Sequence, residues 1–304
     1  MKVLIIGGNG FIGSHLADKC LAMGDSLRIL DMYPERYRDP LPQVEYFYAS
    51  ILDKERLFES LQGVDVVYYL ANSALPNDGN TDLISDIQRD LIPFISFLDT
   101  FTEKSHAKMV YFSSGGAVYG NIENNPVSES HPTNPISPYG ILKLAMEQYV
   151  GFYSNTKGMN ALIIRPSNPF GTRQGHLSMQ GVISTFLYKT LKEERLSVWG
   201  DGLSQKDYLM VEDLVTVTYN LVANDKRGTY NIGSGKGTSL LEILHVIKAV
   251  TGMQPEVEFL PQKKTDVQSF VLDCSKALMD QDFRPRTDIY KGVEHVWRWI
   301  KMTL

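Results

Sequence analysis

Cysteine is nearly absent. The 304-residue chain has two, Cys20 and Cys274, too few for a disulfide framework and in keeping with a reducing compartment. Long apolar runs are missing as well: none approaches the ~18–20 residues that cross a bilayer. The run Val3-Leu4-Ile5-Ile6 is about half the shortest usual signal-peptide core and ends in glycines. Grouped cations are also lacking. Lys+Arg 30 against Asp+Glu 35 leaves a net charge of −5 with no basic block, which argues against a nucleic-acid partner because phosphate affinity needs clustered Lys and Arg. Six histidines show no metal-ligand spacing, and no Ser-His-Asp or Cys-His arrangement is supported. No repeat, low-complexity tract or long linker interrupts the chain. What remains is 43% apolar and 21% charged, a globular, enzyme-sized composition expected in the cytoplasm, with chain enough for two lobes and no membrane partner.

The first half alternates short apolar runs with helical patterns. Val3–Ile6, Leu27–Leu30, Val64–Leu70, Lys108–Phe112 and Ala161–Ile164 read as strands covered on both faces. Phe11, Ile12, His15, Leu16, Lys19, Cys20 and Met23 recur at helical spacing until Gly24, which makes Cys20 a core thiol. Further helices are expected over 83–101, with a kink or break at Pro93, and over 139–153. This alternation predicts an α/β fold with a doubly wound parallel sheet of the Rossmann type. After Pro166 the rhythm changes: helices over 182–192 and 213–222, strands over 196–199 and 229–232, a capping box at Ser239/Glu242 and a last amphipathic helix carrying Val293, Val296, Trp297 and Ile300. The expected division is a dinucleotide-binding lobe at 1–171, with a return of about 207–233, and a smaller C-terminal lobe at 172–304. A cleft between lobes is the default ligand site.

Gly7-Gly8-Asn9-Gly10-Phe11-Ile12-Gly13 follows the first strand and opens the first helix. Glycines in this turn let a pyrophosphate approach backbone amides at a helix N-terminus. Asp31 ends the second strand eighteen residues after Gly13, where a carboxylate accepts the adenosine ribose hydroxyls and repels a 2′-phosphate. NAD is therefore favoured over NADP, and neither Arg28 nor Arg36 is well placed to reverse that preference.

A second constellation is Ser113-Ser114-Gly115-Gly116-Ala117-Val118-Tyr119-Gly120, followed by Pro138-Tyr139-Gly140-Ile141-Leu142-Lys143. Tyr139 and Lys143, four apart at a helix start, share one face. A phenol serving as base near neutrality must fall by about three pH units from its usual ~10, or ~4 kcal/mol. Lys143 and a cationic nicotinamide have the right sign for that. His15, His131, His176, Glu212 and Asp213 read as structural or exposed groups, the acidic pair suiting a helix N-terminus. Trp297 and Trp299 read as packing.

These motifs, with Arg165-Pro-Ser-Asn168-Pro-Phe-Gly171, Asp207-Tyr-Leu-Met-Val-Glu-Asp213, Tyr230-Asn-Ile-Gly-Ser-Gly235 and Asp273-Cys-Ser-Lys276-Ala, run in order over 3–277. So arranged, the chain resembles the extended short-chain dehydrogenase/reductase family, in its nucleotide-sugar epimerase branch. The resemblance implies an NAD-dependent enzyme inverting C4 of a nucleotide-diphosphate hexose through a 4-keto intermediate. It makes Tyr139 the base and gives Lys143 the nicotinamide ribose as well. Cofactor contacts are implied at Gly7, Gly10, Phe11, Ile12, Gly13, Asp31, Ser50, Ile51, Leu70, Ala71 and Pro166. Substrate contacts are implied at Ser114, Asn168, Lys206, Lys263 and Phe270. Phe270 falls where a bulky residue excludes an N-acetyl group at the sugar's 2-position, the alternative being that its ring turns into the core.

Several positions depart from the family's pattern. Gly115 stands where the catalytic Ser or Thr is usual, so Ser114 is expected to serve from next door, rather than Ser113. Lys206 and Lys263 replace two arginines that grip the diphosphate, supplying charge without a bidentate fork. Ser50 replaces Asp, and Tyr69 and Asp90 replace His and Asn beside the cofactor. A 4,6-dehydratase ranks second, because an acidic pair usual in that branch is here Gly116-Ala117. A nucleotide-sugar reductase and a non-catalytic NAD-binding protein follow. The helices over 83–101 and 139–153 are those through which such enzymes form homodimers.

Overall fold

The computed structural model describes residues 1–73, 82–122, 124–174, 181–261, 269–280 and 287–303. The apolar runs of the N-terminal half become parallel strands because helices cover both of their faces. These are β1 (Lys2–Ile6), β2 (Ser26–Asp31), β3 (Val44–Tyr48), β4 (Val66–Tyr69), β5 (Lys108–Phe112) and β6 (Ala161–Pro166). After β7 (Asn168–Phe170), β8 (Leu196–Trp199) and β9 (Gln205–Met210), the chain returns to this sheet as β10 (Gly228–Ile232). The order is β10-β6-β5-β4-β1-β2-β3, and the pairings from β3 through to β6 are all parallel. Ile6 lies in register with Leu30 on one side and Tyr69 on the other. The chain winds outward from β1 to β3, then restarts at β4 on the far side of β1. That reversal at the C-terminal ends of β1 and β4 is where such sheets take ligands.

The interleaved helices are α1 (Phe11–Ala22), α2 (Lys54–Leu61), α3 (Leu83–Asp86), α4 (Ile92–Lys104), α5 (Gly115–Val118) and α6 (Pro138–Lys157). The break expected at Pro93 takes a definite form. A π-helical turn, Ile87–Leu91, joins α3 to α4, and Pro93 sits in the first turn of α4. Proline has no N–H for the carbonyl four residues back, so the helix changes register just ahead of it. By contrast, α6 runs twenty residues without interruption. The Ser137 side chain accepts the Gly140 N–H (3.1 Å) at its start, and Gly158 closes it at φ 67°. Behind α6, Tyr69, Phe94, Phe97 and Tyr111 form a buried aromatic block with centroids 4.8–6.4 Å apart.

Two compact units divide the chain: Met1–Gly120, Pro132–Arg165 and Thr218–Tyr230 in one, Asn121–His131, Pro166–Val217 and Asn231–Leu304 in the other. The break at Arg165/Pro166 falls before the expected limit at 171, and the returning segment is shorter than 207–233. The remaining helices are α7 (Val182–Leu191), α8 (Val211–Ala223), α9 (Leu240–Thr251), α10 (Ser275–Met279) and α11 (Ile289–Thr303), with strands β11 (Gly237–Ser239), β12 (Val257–Leu260) and β13 (Ser269–Phe270). Both halves of the Ser239/Glu242 capping box form, and Gly252 ends α9 in the left-handed conformation. The second unit has its own core, in which Phe186, Leu187, Ile243, Val293, Trp297 and Ile300 are buried together.

Candidate active site

The glycines of the first turn are not sterically equivalent. Gly7, at φ 81°, is placed so that a Cβ would lie 2.7 Å from the Ala71 amide nitrogen at the end of β4. A Cβ on Gly13 would run into the Gly7 carbonyl oxygen, so α1 closes on the turn only with glycine there. Gly10 differs: its Cβ would meet only the Gly7 oxygen, at an ordinary 3.4 Å. Its surroundings leave the first turn of α1 open, and no side chain caps that helix. Uncapped N–H groups and the positive helix end together suit an anion.

Asp31 faces this turn from the end of β2. Its Oδ2 accepts the Asn9 amide (3.1 Å) and its Oδ1 the Tyr33 amide (3.0 Å), leaving lone pairs on both oxygens for hydroxyl donors. Asn9 was missed by the sequence argument. Its side chain is 1% exposed, donates to the Tyr33 carbonyl (2.7 Å), and leaves Oδ1 buried without a hydrogen bond. A polar residue inside a glycine turn was the available signal. Arg28 bonds Glu45 (2.6 Å) and the end of α2, and Arg36 lies over the Tyr33 ring, 4.7 Å from its centroid. Leu70 and Ala71 continue β4 beside Gly7, with the Leu70 amide on the Ile6 carbonyl. Ser50 and Ile51 form the turn before α2, where Ser50 Oγ accepts the Leu52 amide (3.2 Å), and Pro166 ends β6.

Tyr139, Lys143 and Ser114 come together. Ser114 caps β5 on its way into α5, and its side chain hydrogen-bonds the Tyr139 hydroxyl. Gly140 makes this approach feasible, since a side chain there would strike the Ala117 backbone and the Pro135 ring. Ser113 points elsewhere: its hydroxyl is buried and has no partner. Lys143 is 5% exposed, donates to the Phe112 carbonyl (3.2 Å), and lies 5.7 Å from the Tyr139 ring centroid and 5.5 Å from that of Tyr111. Burial lowers its ammonium to about 8 against the opposing pull of Asp90 and Glu147. The phenol behaves otherwise than expected. Burial pushes Tyr139 up to about 12, Asp90 adds to the rise, and the Ser114 hydrogen bond only partly offsets it. The lowering that a base requires is thus not a property of the chain alone.

In the second unit, three expected residues lie on β9 or the strands beside it. Asn168 on β7 pairs in register with Tyr208 and donates to the Asp207 carbonyl (3.1 Å), while Lys206 pairs with Phe270 of β13. The Phe270 ring is 1% exposed. Asp207 itself is fully buried and accepts from the Ser234 amide and hydroxyl, the Gly235 amide and the Leu272 amide. Two of the matched motifs, at 207–213 and 230–235, therefore meet in one cage. Lys263 and His176 lie outside the described residues. His15 is buried edge-on against Phe11, and Asp213 accepts the Thr287 amide (3.0 Å) in the first turn of α8, both as expected of structural groups. Among the described residues no group of three or more His, Cys, Asp or Glu is placed to hold a metal ion, and no helix is long and apolar enough to cross a membrane.

The sequence pattern of the NAD dependent epimerase/dehydratase family matches residues 3–233. The chain belongs to that family. It is 35% identical over 303 residues to a putative UDP-glucose 4-epimerase of Methanocaldococcus jannaschii, covering 98% of each chain. Among solved structures it is similar to the UDP-glucose 4-epimerase of Thermus thermophilus in complex with NAD, with TM-score 0.93, 27% identity and complete coverage of both chains. The UDP-glucose 4-epimerase of Thermotoga maritima with UDP-glucose gives TM-score 0.93 at 29% identity, covering 100% of this chain and 99% of the other. The doubly wound sheet, the uncapped α1 and the acid ending β2 are the parts of this chain that suit the family's cofactor.

Proposed function

We propose that the protein is an NAD-dependent epimerase that inverts C4 of a nucleotide-diphosphate hexose of the UDP-glucose/UDP-galactose type. The observation that carries this reading is the hydrogen bond between Ser114 and the Tyr139 hydroxyl, with Lys143 beside the same ring. The glycine turn, Phe11 and Ile12 at the start of α1, and Asp31 would hold NAD, aided by Ser50, Ile51, Leu70, Ala71 and Pro166. NAD, when bound, supplies a hydride acceptor and donor for C4.

The chain's own residues do the rest. Tyr139 takes the proton of the sugar 4-hydroxyl as the C4 hydride leaves, and returns a proton to the oxygen when hydride comes back to the opposite face. Ser114 holds the same oxygen in line, and the Lys143 ammonium favours the phenolate. Asn168, Lys206 and Lys263 would bind the nucleotide diphosphate. Incubation with a panel of nucleotide sugars, read by NMR, is expected to give C4-inverted products with no added cofactor consumed. Dehydrated products, or turnover only with a reduced cofactor, would overturn the reading. Ser114→Ala is expected to lower kcat/KM more than Ser113→Ala, and an equal loss would remove Ser114 from the site.

A second copy of the chain is the proposed partner. Ile92 on α4 and Ile141 and Phe152 on α6 are each more than half exposed, on two helices that pack together, and exposed apolar groups gathered in this way suit a protein–protein contact. Light scattering after size exclusion is expected to give a dimer, and Phe152→Glu to dissociate it. Both cysteines are buried and unpaired, which suits a cytoplasmic enzyme.

A further inference from the structure

The π-helical turn places one side chain that the mechanism above leaves unused. Asp90 is 5% exposed, and its Oδ1 accepts the Ser73 amide at 2.8 Å, on the segment leaving β4. We propose that Asp90 is a positioning residue: the buried counter-charge that keeps Lys143 an ammonium beside Tyr139. The proposal rests on the reading of Tyr139 and Lys143 as base and partner.

Charge has to balance in the buried space around Lys143. Lys143 has two carboxylates near it, Glu147 one turn further along α6 and Asp90 on the π-helical turn. Glu147 is already committed. Arg165 of β6 holds it with bonds of 3.0, 3.2 and 2.6 Å, and both side chains are under 10% exposed. Glu147 therefore shares its charge with Arg165, and Asp90, the stronger of the two influences on Lys143, carries more of the balance. Among the described residues the remaining titratable neighbours are phenols, Tyr69 on β4, Tyr111 on β5 and Tyr139 on α6. Burial above all pushes the first two well above their ordinary range, with Asp90 adding to the rise at Tyr69 and only a lesser contributor at Tyr111, so they bring no charge. A buried ammonium without a compensating carboxylate loses its proton rather than remain charged. Asp90 also opposes ionisation of Tyr139 directly. Its charge therefore acts on the base in two opposite ways, holding the cation that helps it and resisting the anion it must form.

Asparagine at this position is isosteric and still accepts the Ser73 N–H, so Asp90→Asn removes the charge and keeps the anchor. In the NAD-loaded protein, Lys143 can be followed by NMR with lysine Cε labelling, assigned with Lys143→Met. Its titration midpoint is expected to fall by about one pH unit in Asp90→Asn. The acid and alkaline limbs of kcat/KM are expected to move to lower pH together, whereas a purely structural role would lower kcat and leave both limbs in place. An unchanged Lys143 midpoint overturns the proposal alone. A midpoint that moves while the rate profile stays fixed overturns the reading of Lys143 as Tyr139's partner. If the asparagine variant does not fold, Asp90→Ser makes the same charge change and is read in the same way.

Discussion

In the first unit, the groups assigned to the chemistry leave the C-terminal ends of parallel strands: the glycine turn after β1, Asp31 on β2, Ala71 after β4 and Ser114 after β5. Their places are set by backbone, by helix starts and by Gly7 and Gly13, which no other residue replaces. In the second unit, Asn168, Lys206 and Phe270 sit on β9 or the short strands beside it, held by a caged carboxylate rather than by a repeating framework. The first arrangement protects geometry even when a functional atom is removed, because little of the fold depends on that atom. The second ties the position of its polar groups to a few side-chain hydrogen bonds, so position and local stability should fail together.

The sharpest way to break this contrast is Tyr139→Phe. Removing one oxygen is expected to cost about 10³-fold in kcat while the unfolding midpoint and NAD affinity stay near those of the parent. Loss of cofactor binding would show that the first unit is not separable in this way. Next in size is Glu147→Gln, which leaves the Arg165 guanidinium buried without its carboxylate. About 3 kcal/mol of stability should be lost in a denaturant titration, and a change under 1 kcal/mol would mean that the pair is not structural. Asp207→Asn carries the contrast into the second unit. The Ser234, Gly235 and Leu272 donors converge on Asp207, so about 2 kcal/mol should be lost together with affinity for the nucleotide sugar. NAD affinity should hold. The smallest effect is expected at Phe270. There, Phe270→Ser should narrow the preference for non-acetylated over N-acetylated sugars by about tenfold, or ~1.4 kcal/mol, measured as the ratio of kcat/KM values. An unchanged ratio would leave the ring as packing alone, as its burial already permits.

The same contrast explains what was legible in the sequence. β1, β4 and β5 were plain because a strand covered on both faces must be apolar at every position. β3, Val44–Tyr48, was passed over: as the edge strand it is buried only at Val44 and Phe47 and exposes Glu45 and Tyr48. β9 and β13 were not anticipated either, since Gln205, Lys206 and Ser269 have no strand signature and are held there by their neighbours. At the site, the glycine turn, Asp31 and the Tyr139/Lys143 pair follow from spacing on regular elements. Ser114 followed from adjacency. The electrostatics of Tyr139 did not, because burial outweighs its hydrogen bond and no local pattern encodes burial. Pro93 announced an irregularity but not that it would be a π-helical turn carrying Asp90 inward.

Gly10 bears on how variants of this protein are sought. Position 10 has room for a larger residue and an ordinary backbone conformation, φ −81°, so Gly10→Ala should melt and express like the parent. The added methyl would nonetheless occupy the approach to the α1 amides. A library sorted by thermal resistance or soluble yield would keep such changes as neutral, and only a sort for ligand capture would discard them. Gly7 and Gly13 would be rejected by either sort, because there the fold itself objects. One loop of seven residues thus contains positions visible to two different selections, and the harmless-looking one among them is the one at which tolerance of the fold says least about retention of activity.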